Sequence, residues 1–84
     1  MNSLKNIIPL IKTQTFDTTT DATGNFQLFA RYVAVLAVAF SSSGKTGYGF
    51  LYSGGYTFIR VLSNANALLP TTAVAGTVYY MELP

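Results

Sequence analysis

Hydrophobic and polar residues alternate along much of this chain, and short clusters of glycine, serine and asparagine separate the alternating runs. Period two is the spacing of a β-strand, in which successive side chains point to opposite faces. The segments "YGFLY" and "YTFIRVL", on either side of the turn "SGG", predict two rows of side chains: Tyr48, Phe50 and Tyr52 on one strand, and Tyr56, Phe58 and Arg60 on the next. Ile59 and Val61 then point the other way.

The preceding segments continue this pattern. "TQTF" (13–16) predicts a strand, and the polar stretch "DTTTDATGN" (17–25) predicts a turn in which glycine and asparagine accept positive φ. "FQLFARYVAVLAVAF" (26–40) begins with alternation and becomes apolar throughout, which predicts one strand entering a position buried on both faces. A helix from Leu28 to Phe40 is the alternative, and the valines flanked by aromatic residues favour the strand.

The later segments predict a hairpin loop at 41–47, a turn at "SNAN", a short piece "ALLP", a connection "TTAVAG" and a last strand "TVYYMEL" (77–83). Six or seven short strands separated by turn signals indicate an all-β protein. We therefore expect residues 13–84 to form an antiparallel, jelly-roll-like β-sandwich.

The first residues predict an extended arm. Leu4, Ile7, Ile8 and Ile11 have helical spacing, but Pro9 lies between them, where it would remove a backbone hydrogen bond and clash with the preceding turn. Residues 1–12 are thus expected to form an arm or first strand that packs on its own subunit or on a neighbour.

Composition indicates that the domain does not stand alone. The 84 residues form one domain with no cysteine or histidine, so neither disulfides nor the commonest zinc ligands can support so small a core. Charged residues make up 10% of the chain and apolar residues 50%. Oligomerisation is the remaining support, although a compact monomer with an uncharged, threonine-rich surface is the alternative. The candidate interface or docking residues are Leu4, Ile7, Ile8, Ile11, Tyr79 and Met81.

Charge and hydropathy argue against two classes of partner. The longest apolar stretch, Tyr32 to Phe40, has nine residues, whereas a membrane-spanning helix needs about 20. The N-terminus has no continuous apolar segment and no small-residue cleavage site typical of a signal peptide. The net charge of +2 is small and its five cationic residues are dispersed, so no nucleic-acid surface is expected.

One segment resembles a nucleotide-binding motif. "AFSSSGKT" (39–46) places Gly44, Lys45 and Thr46 after an apolar run, as a phosphate-binding loop does. Such a loop requires a helix to begin at the lysine and threonine, whereas "GYGFLYSGG" is strand and turn material. We therefore expect a polar hairpin loop and no nucleotide.

Catalytic chemistry has few candidates. Without histidine or cysteine, the usual nucleophile–base pairs are absent, and the only acids are Asp17, Asp21 and Glu82. Asp17 and Asp21 belong to a threonine-rich turn with no apolar surroundings to raise a pKa, so turn roles are expected rather than catalysis. "DTTTDATGN" also lacks the acidic alternation of a calcium loop. We expect no enzyme, no cofactor and no metal.

The best candidate ligand site is aromatic. Tyr48, Tyr52 and Tyr56 flank the "SGG" turn, where exposed rings could pack on the apolar face of a sugar while serine, threonine and asparagine bond its hydroxyl groups. The alternative is that these tyrosines are ordinary sheet or interface residues.

Several features together resemble the small C-terminal β-domains of bacteriophage tail fibres and related receptor-binding or baseplate proteins. They are "TQTFDTTTDATGN" before an apolar strand, the glycine–aromatic alternation of "GYGFLYSGGYTFIRVL", the "SNANALLP" turn and the final "TVYYMEL". The resemblance spans residues 13–83. Unlike a full fibre, this chain includes no shaft. It implies a β-sandwich homotrimer that is made in the bacterial cytoplasm, joins the virion beside other virion proteins, and binds a saccharide or other receptor on the host surface.

Two functional classes remain open. The first is a receptor-binding fibre-tip module that acts as a symmetric oligomer through many weak contacts. The second is a purely structural decoration or capping protein that docks through residues 1–12. A free-standing carbohydrate-binding module is a further alternative.

Overall fold

The computed structural model describes residues 10–84, which form six antiparallel strands in two three-stranded sheets. The strands are β1 (Lys12–Thr19), β2 (Asn25–Phe29), β3 (Val33–Phe40), β4 (Lys45–Tyr52), β5 (Tyr56–Ser63) and β6 (Ala73–Glu82). The predicted all-β antiparallel architecture is confirmed.

The chain passes repeatedly between the two sheets. One sheet has the order β1-β6-β3 and the other has the order β2-β5-β4. Only the β4–β5 hairpin stays within one sheet, so the other four connections cross from sheet to sheet. This alternation is the jelly-roll-like trait that the sequence predicted.

The core lies between the sheets and draws on both. Ile59 and Val61 from β5 and Val78 from β6 are completely buried, and Val33 and Tyr80 pack with them. The predicted orientation of Ile59 and Val61 is therefore confirmed. The core also contains a buried hydroxyl: Thr57 donates to the Arg31 carbonyl (2.7 Å) and accepts from the Val33 N–H (3.0 Å). Thr57 therefore connects the start of β5, in one sheet, to the start of β3, in the other.

The prediction of one long strand over residues 26–40 is wrong. The chain forms β2 in one sheet and β3 in the other, with residues 30–32 between them. β3 is an edge strand rather than one buried on both faces, and Leu36 is 51% exposed beside a register shift at Val35 and Ala37. Alanine and valine alternate here, so the apolar run has one large face and one small face rather than two core faces.

Two strands are longer than expected. β6 begins at Ala73, so most of "TTAVAG" belongs to the last strand rather than to a connection, and Val74 enters the core. β1 extends through Thr19, so the turn before β2 is limited to residues 20–24. Both extensions come from pairing between β1 and β6, which the local sequence does not indicate: Asp17 pairs with Ala75, and Thr19 pairs with Ala73.

The β3–β4 turn shows why no phosphate loop forms. Residues 41–44 make the turn, and Lys45 and Thr46 then start a strand, where a phosphate loop would start a helix. The predicted hairpin at 41–47 is wrong, because β3 and β4 belong to different sheets and do not pair; the turn instead brings the edges of the two sheets together. A Cβ on Gly49 of β4 would collide with the side chain of Val35 on β3, so this approach requires glycine.

Residues 1–9 of the predicted arm, including Leu4, Ile7 and Ile8, lie outside the described residues. Lys12, the last residue assigned to the arm, is the first residue of β1. Within residues 10–84 there is no helix long and apolar enough to cross a membrane.

Candidate functional site

The outer face of the β2-β5-β4 sheet carries a cluster of aromatic rings. The register of β4 and β5 sets Tyr48 opposite Arg60, Phe50 opposite Phe58, and Tyr52 opposite Tyr56. The rings of Phe50 and Phe58 stack with centroids 5.8 Å apart, and Tyr52 meets Phe58 edge-on at 5.4 Å. We call Tyr48, Phe50, Tyr52, Tyr56 and Phe58 the aromatic face.

The turn between β1 and β2 forms a polar border to this face, and backbone contacts hold it in place. The buried hydroxyl of Thr20 donates to the Leu69 carbonyl (2.6 Å) and accepts from the Thr72 N–H (2.8 Å). The Val61 N–H donates to the Gly24 carbonyl (2.9 Å). Gly24 has φ 82°, a conformation that glycine adopts without strain. The turn is thus attached both to residues 69–72 and to β5.

Four side chains link this turn to β5 through hydrogen bonds. Thr23 Oγ1 donates to Asp21 Oδ1 (2.7 Å) and accepts from Asn25 Nδ2 (3.0 Å). Asn25 Oδ1 in turn accepts from Arg60 Nε (3.0 Å). We call Asp21, Thr23, Asn25 and Arg60 the polar chain. A carboxylate and a guanidinium are thereby joined through two neutral side chains.

A groove of about 260 Å³ lies between the polar chain and the aromatic face. Its lining residues are Asp21, Thr23, Asn25, Phe50, Tyr52, Phe58 and Arg60. Pockets for drug-sized ligands measure roughly 300–1,000 Å³, so this groove suits a smaller group such as one ring. The Arg60 guanidinium lies 5.3 Å from the Phe50 ring centroid, which extends the flat surface toward the polar chain.

Both groups at the ends of the polar chain are charged at neutral pH. The Thr23 hydroxyl, followed by the Asn25 backbone N–H, lowers the pKa of the exposed Asp21 carboxyl. Hydrogen bonds to a carboxylate favour its ionised form, so Asp21 presents a negative charge. The Arg60 guanidinium supplies the positive charge. The groove therefore contains one charge of each sign.

The sequence identified part of this site. Of the predicted ligand residues, Tyr52 lines the groove, while Tyr48 and Tyr56 lie on the aromatic face beside it, and all three are exposed. Phe50 and Phe58 were assigned to the correct strand faces but not to the site. Pairing the two strands across the "SGG" turn would have brought them together.

The polar chain was missed. Asp21 lies in the β1–β2 turn, as expected, but its link through Thr23 and Asn25 to β5 has no local sequence signal. Arg60 bonds to Asn25, whereas Arg31 pairs with Glu82 within the subunit, with Nε 2.8 Å from Oε1. The β1–β2 turn and β5 are far apart in the sequence, and no local pattern indicates that they meet.

The opposite outer face, on the β1-β6-β3 sheet, differs in chemistry. Residues on this side alternate with the buried Val74, Val78 and Tyr80 of β6. We call it the Ala/Thr face: Thr13, Thr15, Asp17, Thr19, Ala34, Ala37, Ala39, Ala73, Ala75, Thr77, Tyr79 and Met81. Among residues 10–84, Asp17 is its only charged residue.

The predicted interface residues within the described range lie on or next to this face. Tyr79 is 40% exposed and Met81 is half-buried, both on its central strand. Ile11 is exposed directly before β1. Tyr79 and Met81 thus lie on one face, and Ile11 directly precedes the strand that pairs with theirs.

Neither the family models nor the curated proteins nor the solved structures contain a match to this chain. Within residues 10–84, no three His, Cys, Asp or Glu side chains are close enough together to hold a metal ion.

Proposed function

We propose that this protein is a receptor-binding module of a bacteriophage particle, located at a fibre tip, that binds a saccharide of the host surface. The groove is the observation that carries the proposal. It sets a flat aromatic surface beside hydrogen-bonding groups, which is the combination that binds the apolar face and the hydroxyl groups of a sugar. The phage context rests on the resemblance of residues 13–83 to fibre-tip domains.

The Ala/Thr face supports the oligomeric part of the proposal. Apart from Tyr79 and Met81 its residues are small, and Asp17 on the edge strand β1 is its one charge among residues 10–84. Three copies of this face can therefore surround a three-fold axis, each copy contacting both neighbours, with little charge to bury. We propose that copies of this chain associate through this face into a symmetric oligomer, a homotrimer, located in the virion after synthesis in the bacterial cytoplasm. Symmetry then presents several grooves to one cell surface.

A structural virion protein is the second candidate. The observation that favours it is the same uncharged face, with Ile11 exposed at its border, because another virion protein could cover it instead of a second copy. In that case the groove would bind no sugar, and attachment to the particle would depend on residues 1–12.

An array of bacterial surface saccharides tests the first candidate. Wild-type protein should bind a subset of the saccharides. Tyr52→Ala should weaken that binding in every groove and lower the array signal, whereas Tyr32→Ala, which removes an equally large exposed ring from the β2–β3 connection, should retain it. Wild-type protein that binds no saccharide, while full-length but not arm-deleted protein binds phage particles, would favour the structural role.

A further inference from the structure

The polar chain leaves one edge of each charged group free toward the groove. Within residues 10–84, every hydrogen bond to the Asp21 carboxylate ends on Oδ1, which leaves Oδ2 as an acceptor. The Arg60 side chain donates in the same range through Nε, which leaves its terminal nitrogens as donors. The groove therefore offers an acceptor at one end of its polar wall and donors at the other.

These two groups do not neutralise each other by direct contact. The ion pairs among the described residues both involve Glu82 of β6, in the other sheet, which pairs with Lys12 and with Arg31. Asp21 and Arg60 are linked by hydrogen bonds through the side chains of Thr23 and Asn25. Asn25 is buried, so this spacing is built into the wall of the groove.

We infer that the groove takes an uncharged sugar ring in preference to an acidic or an amino sugar. This inference rests on the proposed saccharide-binding function and specifies its ligand. A neutral ring satisfies both ends, because each hydroxyl group can donate to Asp21 and accept from Arg60. Its apolar face lies on Tyr52, Phe50 and Phe58.

Singly charged sugars fit less well. A carboxylate gains Arg60 but stands in the same small groove as the Asp21 carboxylate, and an ammonium gains Asp21 but stands near the Arg60 guanidinium. In either case one like-charge contact opposes the favourable one, and water already solvates the free charged sugar. We expect each charged analogue to bind about fivefold more weakly than the neutral one.

The test compares methyl glycosides of glucose and of galactose in three forms: neutral, 6-carboxylate and 2-amino. NMR spectra of the full chain are followed for the Tyr52 ring signals in every variant, and for the Arg60 Nε signal where Arg60 is retained. Glycoside is added up to about 100 mM, above the millimolar Kd expected for one small ring. Two variants shift the charge balance. Asp21→Asn retains an Oδ1 acceptor for the turn and leaves the groove positive, and Arg60→Gln leaves it negative.

Wild-type protein should bind the neutral glycoside more tightly than either charged form. Asp21→Asn should bind the carboxylate most tightly, and Arg60→Gln should bind the amine most tightly. A carboxylate or amine that binds wild-type protein more tightly than the neutral ring overturns this inference and leaves saccharide binding intact. If no glycoside of either series shifts the groove signals, the proposed function falls with it. The wild-type order decides the matter even if a variant does not fold.

Discussion

The two outer faces of this sandwich share one core but differ in what they expose. The face of the β2-β5-β4 sheet presents large rings and a charge of each sign, arranged around a groove. The face of the β1-β6-β3 sheet presents mainly alanine and threonine, with Tyr79 and Met81 on its central strand. A groove with paired donors and acceptors suits a small polar ligand, whereas a flat surface with a single charge suits another sheet. We therefore propose that recognition and assembly use opposite sides of the molecule.

The largest expected effect is on the stability of the fold, which supports both outer faces. Gly49→Val places a side chain where β4 meets Val35 of β3, and should lower the free energy of unfolding by about 3 kcal/mol or more. Chemical denaturation measures this loss. Gly44→Asn is the control, because nothing lies near a side chain at position 44 and asparagine tolerates its positive φ. Equal stabilities of the two variants would show that the sheets do not meet closely here.

The next effect separates assembly from binding. Ala37→Lys puts a charge beside Tyr79 on the Ala/Thr face and should raise the dissociation constant of the oligomer roughly thirtyfold, or about 2 kcal/mol. Sedimentation at several concentrations measures it. Ala65→Lys adds the same charge in the exposed turn after β5 and should leave the mass unchanged. Dissociation by both variants would point to general charge repulsion rather than to this face.

A smaller effect is expected for the rings. Tyr52→Ala should weaken saccharide binding roughly fivefold, about 1 kcal/mol for one stacking ring, without changing the mass. Tyr79→Ala, matched in size on the opposite face, should change the mass without weakening the affinity of a single groove. Calorimetry or NMR titration, paired with sedimentation of the same samples, measures both. If either variant changed both properties, the two faces would not act independently.

The smallest effect is a pH dependence. Arg31 holds the pKa of Glu82 below its usual value, with a smaller contribution from Lys12. A carboxyl whose pKa is lower in the folded state contributes stability above its unfolded pKa and loses it as pH falls through the folded value. Thermal unfolding should therefore occur at lower temperature below about pH 4. The group is exposed, so the effect is small.

Glu82→Gln isolates this contribution. The variant should show a weaker loss of thermal stability between neutral and acidic pH than wild-type protein, because its side chain has no proton to gain. Lys45→Gln changes the net charge by one unit on β4 of the other sheet and serves as the control for a general charge effect. Identical pH profiles for Glu82→Gln and wild-type protein would mean that the Arg31 contact adds nothing to stability.

The sequence predicted those features of the fold that depend on residues close together in the chain. Period-two spacing placed Phe50, Phe58 and Arg60 on the correct strand faces and placed Ile59 inside. Local patterns did not reveal that the apolar run 26–40 divides between sheets, because an alanine–valine alternation reads the same on an edge strand as in a buried one. The polar chain depends on the β1–β2 turn meeting β5, a contact that only the three-dimensional fold creates.

The most direct test of the account is the absolute mass of the protein by light scattering over a wide range of concentration. The account predicts a concentration-independent trimer of about 27 kDa, three times the 9.1 kDa chain, which Ala37→Lys dissociates while the groove still binds its sugar. A wild-type mass of 9.1 kDa at every concentration would contradict it, because the Ala/Thr face would then have no second copy to cover it.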